Sequence, residues 1–289
     1  MMAAKPQYRG RFAPSPTGPL HMGSLLTALA SYLHARSASG LWLLRIEDID
    51  PPREVPGASD SILRSLEAHG LHWDESVLFQ STRLDAYAEA LNTLKASGRL
   101  FPCSCTRATL GPGGSCLRRC KPGPDDPTAL RIQLDESMGF EDQILGTQAP
   151  PGESGDLVLR RKDGLYAYAL AVVVDDARQG VTHVVRGADL LPQTFAQLEL
   201  LTLLHSPRPD YAHLPIVCDH RGTKLSKQAG APAIDDKRAL NNLRDALRLL
   251  RQPCADSPAA TVDELLVQAT ADWDPRALAR AAKEVLVYH

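Results

Sequence analysis

Two short motifs in this sequence carry side chains suited to binding phosphate. The first runs from Ala13 to Ser24, where a turn rich in proline and glycine leads to His21 and Gly23 at the predicted start of a helix. A helix N-terminus offers unpaired N–H groups and the positive end of the helix dipole, and both attract phosphate. Taken alone, the motif equally fits a plain capped turn with a surface histidine.

The second motif is a lysine loop, Lys224 to Gln228, which places Lys224 and Lys227 on either side of Ser226. Two lysines at this spacing could bind a polyphosphate, because phosphoryl chemistry is catalysed mainly by positioning and by stabilisation of charge. On its own the segment also fits a solvated charged loop.

Four cysteines lie within 18 residues, in a segment with no strong apolar pattern: Cys103, Cys105, Cys116 and Cys120. Thiolates at such spacing suit a closed, tetrahedral, structural zinc site. Incidental cysteines are the alternative. Four basic residues surround them and could contact a phosphate backbone or simply be solvated: Arg107, Arg118, Arg119 and Lys121.

The pattern of apolar residues predicts the elements that position these motifs. A strand at 9–13, a helix that starts near Leu20 and ends at Gly40, and a strand at 41–46 form the opening of a Rossmann-like, doubly wound parallel sheet. Further helices are predicted at 59–70, 82–98 and 190–204, and further strands at 170–174 and 181–186. We therefore expect a catalytic domain (1–100 and 165–210), split by a zinc-bearing insertion (101–164) and followed by a lysine-loop and helical domain (211–289).

Composition narrows the class of protein. The 289 residues are 44% apolar and 23% charged, with a net charge of −2, so binding to nucleic acid would need a local basic patch. The polar N-terminal segment lacks the apolar core of a secretory signal, and no apolar run approaches the ~20 residues that span a bilayer. We expect a cytoplasmic monomer without a membrane segment, whose six cysteines are free thiols or metal ligands.

The two phosphate motifs, in this order on a doubly wound pattern, resemble the signatures of class I aminoacyl-tRNA synthetases. The segments Arg11–Gly18 and Arg45–Asp50 look like those of glutamyl-tRNA synthetases. Several more segments are similar to the shortened glutamyl-Q tRNA(Asp) synthetase family: Pro51–Glu54, Gly70–Asp74, Val172–Asp176, Val185–Leu190 and the terminal Gln228 of the lysine loop. The resemblance extends from about Arg9 to Pro232.

The resemblance implies roles for individual residues. It implies an amino-acid pocket for L-glutamate formed by Arg11, Phe12, Ala13, Pro14, Ser15, Glu47, Tyr168 and Arg186. Arginine is the natural bidentate partner of a carboxylate, so Arg11 would bind the side-chain carboxylate, Glu47 the ammonium group and Tyr168 would supply a hydroxyl. ATP with Mg²⁺ would contact His21, Gly23, Ser24, Ser226 and Lys227, with His21, Lys224 and Lys227 as the catalytic residues. Where the family can use a tyrosine as the third zinc ligand, this chain has Cys116.

The resemblance also implies the reaction: formation of glutamyl-adenylate, then transfer of the glutamyl group to queuosine in the anticodon of tRNA(Asp). Only about 60 residues follow Gln228, fewer than an anticodon-binding domain of typical size needs. Three alternatives remain open: a truncated enzyme that charges the 3′ end of tRNA(Glu), a nucleotidyltransferase with a small-molecule acceptor, and a zinc-dependent RNA-binding regulator.

Overall fold

A computed structural model describes residues 7–116, 120–135, 139–150, 152, 155–218, 232–281 and 286–287. Six residues singled out from the sequence lie outside these ranges: Arg118, Arg119, Lys224, Ser226, Lys227 and Gln228.

The described chain alternates strands and helices over its first 100 residues, and helices predominate between residues 239 and 281. The strands are β1 (Arg9–Phe12), β2 (Leu41–Ile46), β3 (Leu78–Phe79), β4 (Leu100–Cys103), β5 (Ala129–Gln133), β6 (Phe140–Asp142), β7 (Gly146–Gln148), β8 (Asp156–Arg160), β9 (His183–Gly187), β10 (Asp210–Leu214), β11 (Val217–Cys218) and β12 (Leu286–Val287). The helices are α1 (Met22–Ser37), α2 (Ala58–Ala68), α3 (Leu84–Lys95), α4 (Tyr168–Arg178), α5 (Leu191–Leu203), α6 (Ala239–Leu249), α7 (Val262–Ala271) and α8 (Pro275–Ala281).

The central strands run parallel, which confirms the predicted α/β fold. β1 pairs with β2, β2 with β3, and β9 with β10, all in parallel register. The backbone N–H of Thr182 donates to the carbonyl of Arg9 at 2.9 Å and sets β9 beside β1. The carboxyl ends of β1, β2 and β9 therefore meet at one edge, where parallel α/β sheets bind their ligands.

Helix α1 forms the centre of the largest apolar core. It contacts β1 and β9 on one side and α6 and α7 on the other. Leu25, Leu26, Leu29 and Leu33 are almost completely buried as a result. Burial of a leucine contributes roughly 1.5–3 kcal/mol, so α1 is a major source of stability for the sheet that carries the site.

One predicted element is wrong. The sequence pattern predicts a strand for the run Leu170–Val174, but this run lies inside α4 and is buried on nearly all sides. A short apolar run rich in valine does not distinguish a buried strand from a buried helix, because neither leaves a polar face with a visible period. Here α4 packs against α3, α5 and β8, so the apolar run is buried against helices and strands alike.

The predicted insertion forms two structures. β4, β5 and β8 make a three-stranded antiparallel sheet. The hairpin of β6 and β7 instead extends the parallel sheet, because β6 pairs with β10 at Asp142 and Tyr211. Within the described residues, no helix combines the length and apolar character needed to cross a bilayer.

Candidate active site

A cleft of about 1220 Å³ opens at the carboxyl ends of the parallel strands. Its lining includes every predicted amino-acid and nucleotide residue that the structure describes: Arg11, Phe12, Ala13, Pro14, Ser15, His21, Gly23, Ser24, Glu47, Tyr168 and Arg186. The structure thus brings together residues that are up to 175 positions apart in the sequence. The cleft has the size and mixed polar lining of a small-molecule site.

Arg11 lies at the end of β1 and is held by a carboxylate from α4. Its Nε and Nη2 donate to the two oxygens of Asp176 at 3.1 and 3.3 Å, and Arg45 Nη2 lies 2.7 Å from the same group. Burial opposes the ionisation of Asp176, but Arg11 and Arg45 outweigh it and hold its pKa below the usual value. Among the described residues Arg11 Nη1 has no hydrogen-bond partner, so it is available to a ligand in the cleft.

Arg186, at the end of β9, is likewise held through its Nε and Nη2 atoms. Its Nη2 donates to Thr194 Oγ1 at 2.7 Å and to Gln197 Oε1 at 2.8 Å, and its Nε donates to His213 Nε2 at 3.1 Å. Nη1 is buried and lacks a partner within the part of the chain that the structure describes. A buried donor without a partner is costly, and a bound anion would satisfy it.

Glu47 directly follows β2 and supplies the acidic group of the cleft. Its backbone N–H donates to the carbonyl of Pro14 at 3.0 Å, which ties the strand end to the proline turn. Burial raises the pKa of Glu47 to about 7, although Arg45, at 3.8 Å, and Arg11 lower it. Burial and the charge of Glu47 also raise the pKa of Tyr168, so that hydroxyl stays protonated and can donate.

His21 caps helix α1 at the cleft, as the sequence predicts. Its Nδ1 accepts a hydrogen bond from the backbone N–H of Ser24 at 3.4 Å, and Ser24 Oγ accepts from the His21 backbone at the same distance. The described residues on both sides of the lysine loop also lie here. Pro215 to Val217 line the cleft, and the N–H of Ile234 donates to the carbonyl of Leu20 at 3.0 Å.

The four predicted zinc ligands converge in space. The Sγ atoms of Cys103, Cys105, Cys116 and Cys120 all lie within 4.8 Å of one another. Cys105 and Cys116 are 3.6 Å apart, and Cys116 and Cys120 are 3.2 Å apart. A tetrahedron with Zn–S bonds of ~2.3 Å has edges of about 3.8 Å, so these thiols fit zinc. Burial raises the pKa of Cys103 to about 12, and a bound cation would reverse that effect.

Asp156, at the start of β8 in the antiparallel sheet, supports this cluster through hydrogen bonds. Its Oδ2 accepts from the Cys116 backbone N–H at 2.8 Å and from Ser115 Oγ at 2.6 Å, while Oδ1 pairs with Arg131. No pattern in the sequence indicates this support, because Asp156 lies 40 positions from Cys116. Of the basic residues nearby, Arg107 is exposed on the cleft lining.

Comparisons with known proteins agree with this fold. The family model for the catalytic domain of class I tRNA synthetases (E and Q) matches residues 7–112 and 119–251. A glutamyl-Q tRNA(Asp) synthetase of Cronobacter sakazakii is 47% identical, covering 97% of this chain and 96% of its own. That of Xanthomonas oryzae is 51% identical, covering 95% and 94%.

Solved structures show the same likeness. The glutamate–tRNA synthetase of Elizabethkingia anophelis superposes with a TM-score of 0.81 at 25% identity, covering 98% of this chain and 68% of its own. A glutamate tRNA ligase of Elizabethkingia meningosepticum, in complex with its amino acid, gives 0.80. The fold is that of a class I tRNA synthetase catalytic domain. Within that class, the chain belongs to the glutamyl-Q tRNA(Asp) synthetase family of ligases.

Proposed function

We propose that this protein activates L-glutamate with ATP and transfers the glutamyl group to queuosine in tRNA(Asp). One observation carries the choice of amino acid. Arg11 and Arg186 are both buried, both are fixed through Nε and Nη2, and both leave Nη1 without a partner among the described residues of one cleft. Glutamate has two carboxylates to satisfy two such donors, and Glu47 offers a partner for its ammonium group.

The charges of the cleft support the same substrate. Two buried arginines, Arg11 and Arg186, line the cleft together with one buried acid, Glu47, so the buried lining has a surplus of one positive charge when Glu47 is ionised. Glutamate carries a net charge of −1 at neutral pH. Burying it would therefore neutralise the site, whereas glutamine would leave a buried positive charge without its counterion.

In the first step, an oxygen of the glutamate α-carboxylate attacks the α-phosphorus of ATP, and the bond to the bridging oxygen of pyrophosphate breaks. Mg²⁺ enters with the ATP. His21 and the N-terminus of α1 hold phosphates, and Lys224 and Lys227 stabilise charge on pyrophosphate as it leaves. Gly23, Ser24 and Ser226 complete the ATP site. The flanks of the lysine loop at the cleft support this assignment.

In the second step, a hydroxyl of the acceptor attacks the acyl carbon of glutamyl-adenylate, and AMP leaves with the bridging oxygen. The names of the relatives support queuosine in tRNA(Asp) as that acceptor. A tRNA substrate would place the enzyme in the cytoplasm. Arg107, exposed on the cleft lining, is in reach of an acceptor phosphate in this proposal.

The thiol cluster completes the proposal as a structural zinc site, with one ion per chain. Cys103, Cys105, Cys116 and Cys120 would supply all four ligands, so the ion would have no open position for substrate. It would fix the start of the inserted segment beside β4. The C-terminal helices α6 and α7 act as a small helical domain that supports α1.

Exchange of labelled pyrophosphate into ATP tests the activation step. Purified protein with ATP, Mg²⁺ and glutamate should show exchange without tRNA, and glutamine should be a poor substrate. Loss of the charged partner of a buried arginine costs on the order of 2–5 kcal/mol. Equal exchange with glutamine would exclude the role given to Arg11.

A further inference from the structure

A chain of buried polar contacts runs from the β6–β7 hairpin to Arg186. Asp142, at the end of β6, is 1% exposed, and His213, on β10, is fully buried. Asp142 Oδ2 lies 2.6 Å from His213 Nδ1. His213 Nε2, on the other side of the ring, accepts from Arg186 Nε at 3.1 Å. No local pattern in the sequence predicts these contacts.

The ionised state of Asp142 fixes the tautomer of His213. Asp142 Oδ1 accepts from the backbone N–H groups of Ile144 and Leu145 at 3.0 and 2.9 Å. Burial opposes its ionisation, but His213 and these N–H groups hold its pKa below the usual value. A carboxylate only accepts hydrogen bonds, so the His213 proton must be on Nδ1. Nε2 then has a lone pair directed at Arg186.

Burial, together with the charge of Arg186, lowers the pKa of His213, so the ring stays neutral near pH 7. The neutral ring can accept from Arg186 Nε, while Thr194 and Gln197 accept from Nη2. An arginine has five N–H groups, and these contacts use three of them. The two that remain are on Nη1, the nitrogen that lacks a partner among the described residues.

We propose that Asp142 and His213 are positioning residues, which fix the guanidinium of Arg186 so that Nη1 is presented to a carboxylate of the bound amino acid. The proposal rests on the proposed function. Without an acceptor at Nε, the guanidinium would be held through Nη2 alone, and Nη1 would no longer be fixed in one direction. Binding of the amino acid should then weaken, whereas ATP binds through other residues.

Asp142→Asn is the sharpest test. The side-chain amide would keep its oxygen towards the N–H groups of Ile144 and Leu145 and turn its NH₂ towards His213 Nδ1. His213 would then carry its proton on Nε2, where it would face the N–H of Arg186. We expect the KM for glutamate to rise about tenfold or more, with the KM for ATP within about twofold of wild type.

Asp210→Asn is the matched control. Asp210 pairs with His183 at 3.4 Å and so joins β10 to β9, the strands that carry His213 and Arg186. It lies at the opposite end of these strands, and its carboxylate is exposed. This variant should leave both KM values unchanged.

Two histidine variants add a test that does not depend on whether Asp142→Asn folds well. His213→Gln retains an acceptor near Arg186 and should keep more glutamate binding than His213→Asn.

The tautomer itself can be observed by ¹⁵N NMR of the histidine ring. His213 should carry its proton on Nδ1 in the wild type and on Nε2 in Asp142→Asn. Equal changes in the KM for glutamate and for ATP, or an unchanged KM for glutamate in a folded Asp142→Asn, would overturn the proposal. If the wild type does not activate glutamate at all, the proposed function fails, and the NMR result reports on the His213 arrangement separately.

Discussion

The carboxyl group of Glu47 is buried beside two arginines, yet burial raises its pKa to about 7. Below that pH the empty site holds Glu47 protonated, and a neutral carboxyl attracts the ammonium of glutamate only weakly. The KM for glutamate should therefore rise as the pH falls below 7, by up to about tenfold per unit. Pyrophosphate exchange measured between pH 6 and 8 gives this profile.

Glu47→Gln is the control for that profile. It should give a high KM for glutamate that no longer changes over the same range, because the titrating group is gone. If the slope persists in Glu47→Gln, another group titrates and Glu47 does not bind the ammonium.

Lys227 is proposed to stabilise the negative charge that develops on pyrophosphate as it leaves. Removal of one preorganised donor typically costs ~10²–10³ in rate, so Lys227→Ala should lower kcat for adenylate formation by that order. The KM for ATP should change little, and Lys227→Arg should recover part of the rate. A variant that only raised the KM for ATP would make Lys227 a ground-state binder.

The sequence predicted the residues that line the cleft better than the residues that support them. Arg11, Glu47 and Arg186 follow or end strands, and parallel strands bring such positions to one edge. Asp176 and His213 act through contacts with residues 165 and 27 positions away. No local pattern of charge or spacing marks such a pair, because the contact exists only after the sheet and α4 have packed.

At the scale of elements, α4 shows why an apolar run alone does not tell a buried strand from a buried helix. The helix starts with Tyr168 at the cleft and buries Asp175 and Asp176 in its third turn. Asp175 accepts from Gln80 Nε2 at 2.9 Å and from Tyr87 Oη at 2.7 Å, so it ties α4 to α3. Two acidic residues next to a run of valines fit the sequence pattern of a strand as well as that of a helix. The sequence alone therefore does not distinguish the two.

The thiol cluster gives a prediction for the inserted element. The free energy of binding structural zinc is also folding free energy, so Cys103→Ser should lower zinc content well below one ion per chain and destabilise β4, β5 and β8. Elemental analysis measures the metal, and limited proteolysis measures the order of the segment. Cys254→Ala, at a buried cysteine outside the cluster, should keep its zinc. Full zinc occupancy in the quadruple serine variant would refute the site.

At the scale of the whole molecule, Asp176 joins three elements through charge. It links β1 through Arg11 and β2 through Arg45 to α4, and all three groups are buried. Asp176→Asn would leave two buried arginines without their counterion. We expect a loss of about 3–5 kcal/mol in the free energy of unfolding, measured with urea.

Asp245→Asn provides the comparison, because its pair with Arg248 is exposed on α6. That variant should change the free energy of unfolding by no more than about 0.5 kcal/mol. Equal effects of the two substitutions would mean that the buried charges are not what joins the elements.

The architecture as a whole was largely predictable, because the opening β–loop–α–β unit and the order of the two phosphate motifs are local signals in the sequence. The role of the β6–β7 hairpin was not. The sequence pattern assigns it to the insertion, and its pairing with β10 depends on a contact between Asp142 and Tyr211, 69 positions apart. That pairing places Asp142 next to His213.

The acceptor of the glutamyl group is the central claim, and one incorporation assay tests it directly. Purified protein is given ATP, Mg²⁺, labelled glutamate and one of three acceptors: tRNA(Asp) with queuosine, tRNA(Asp) without it, or tRNA(Glu). The proposed function predicts label on queuosine-containing tRNA(Asp) alone, at a nucleotide within the anticodon loop. Label on tRNA(Glu), or equal label on tRNA(Asp) with and without queuosine, would contradict it and favour charging of a 3′ end.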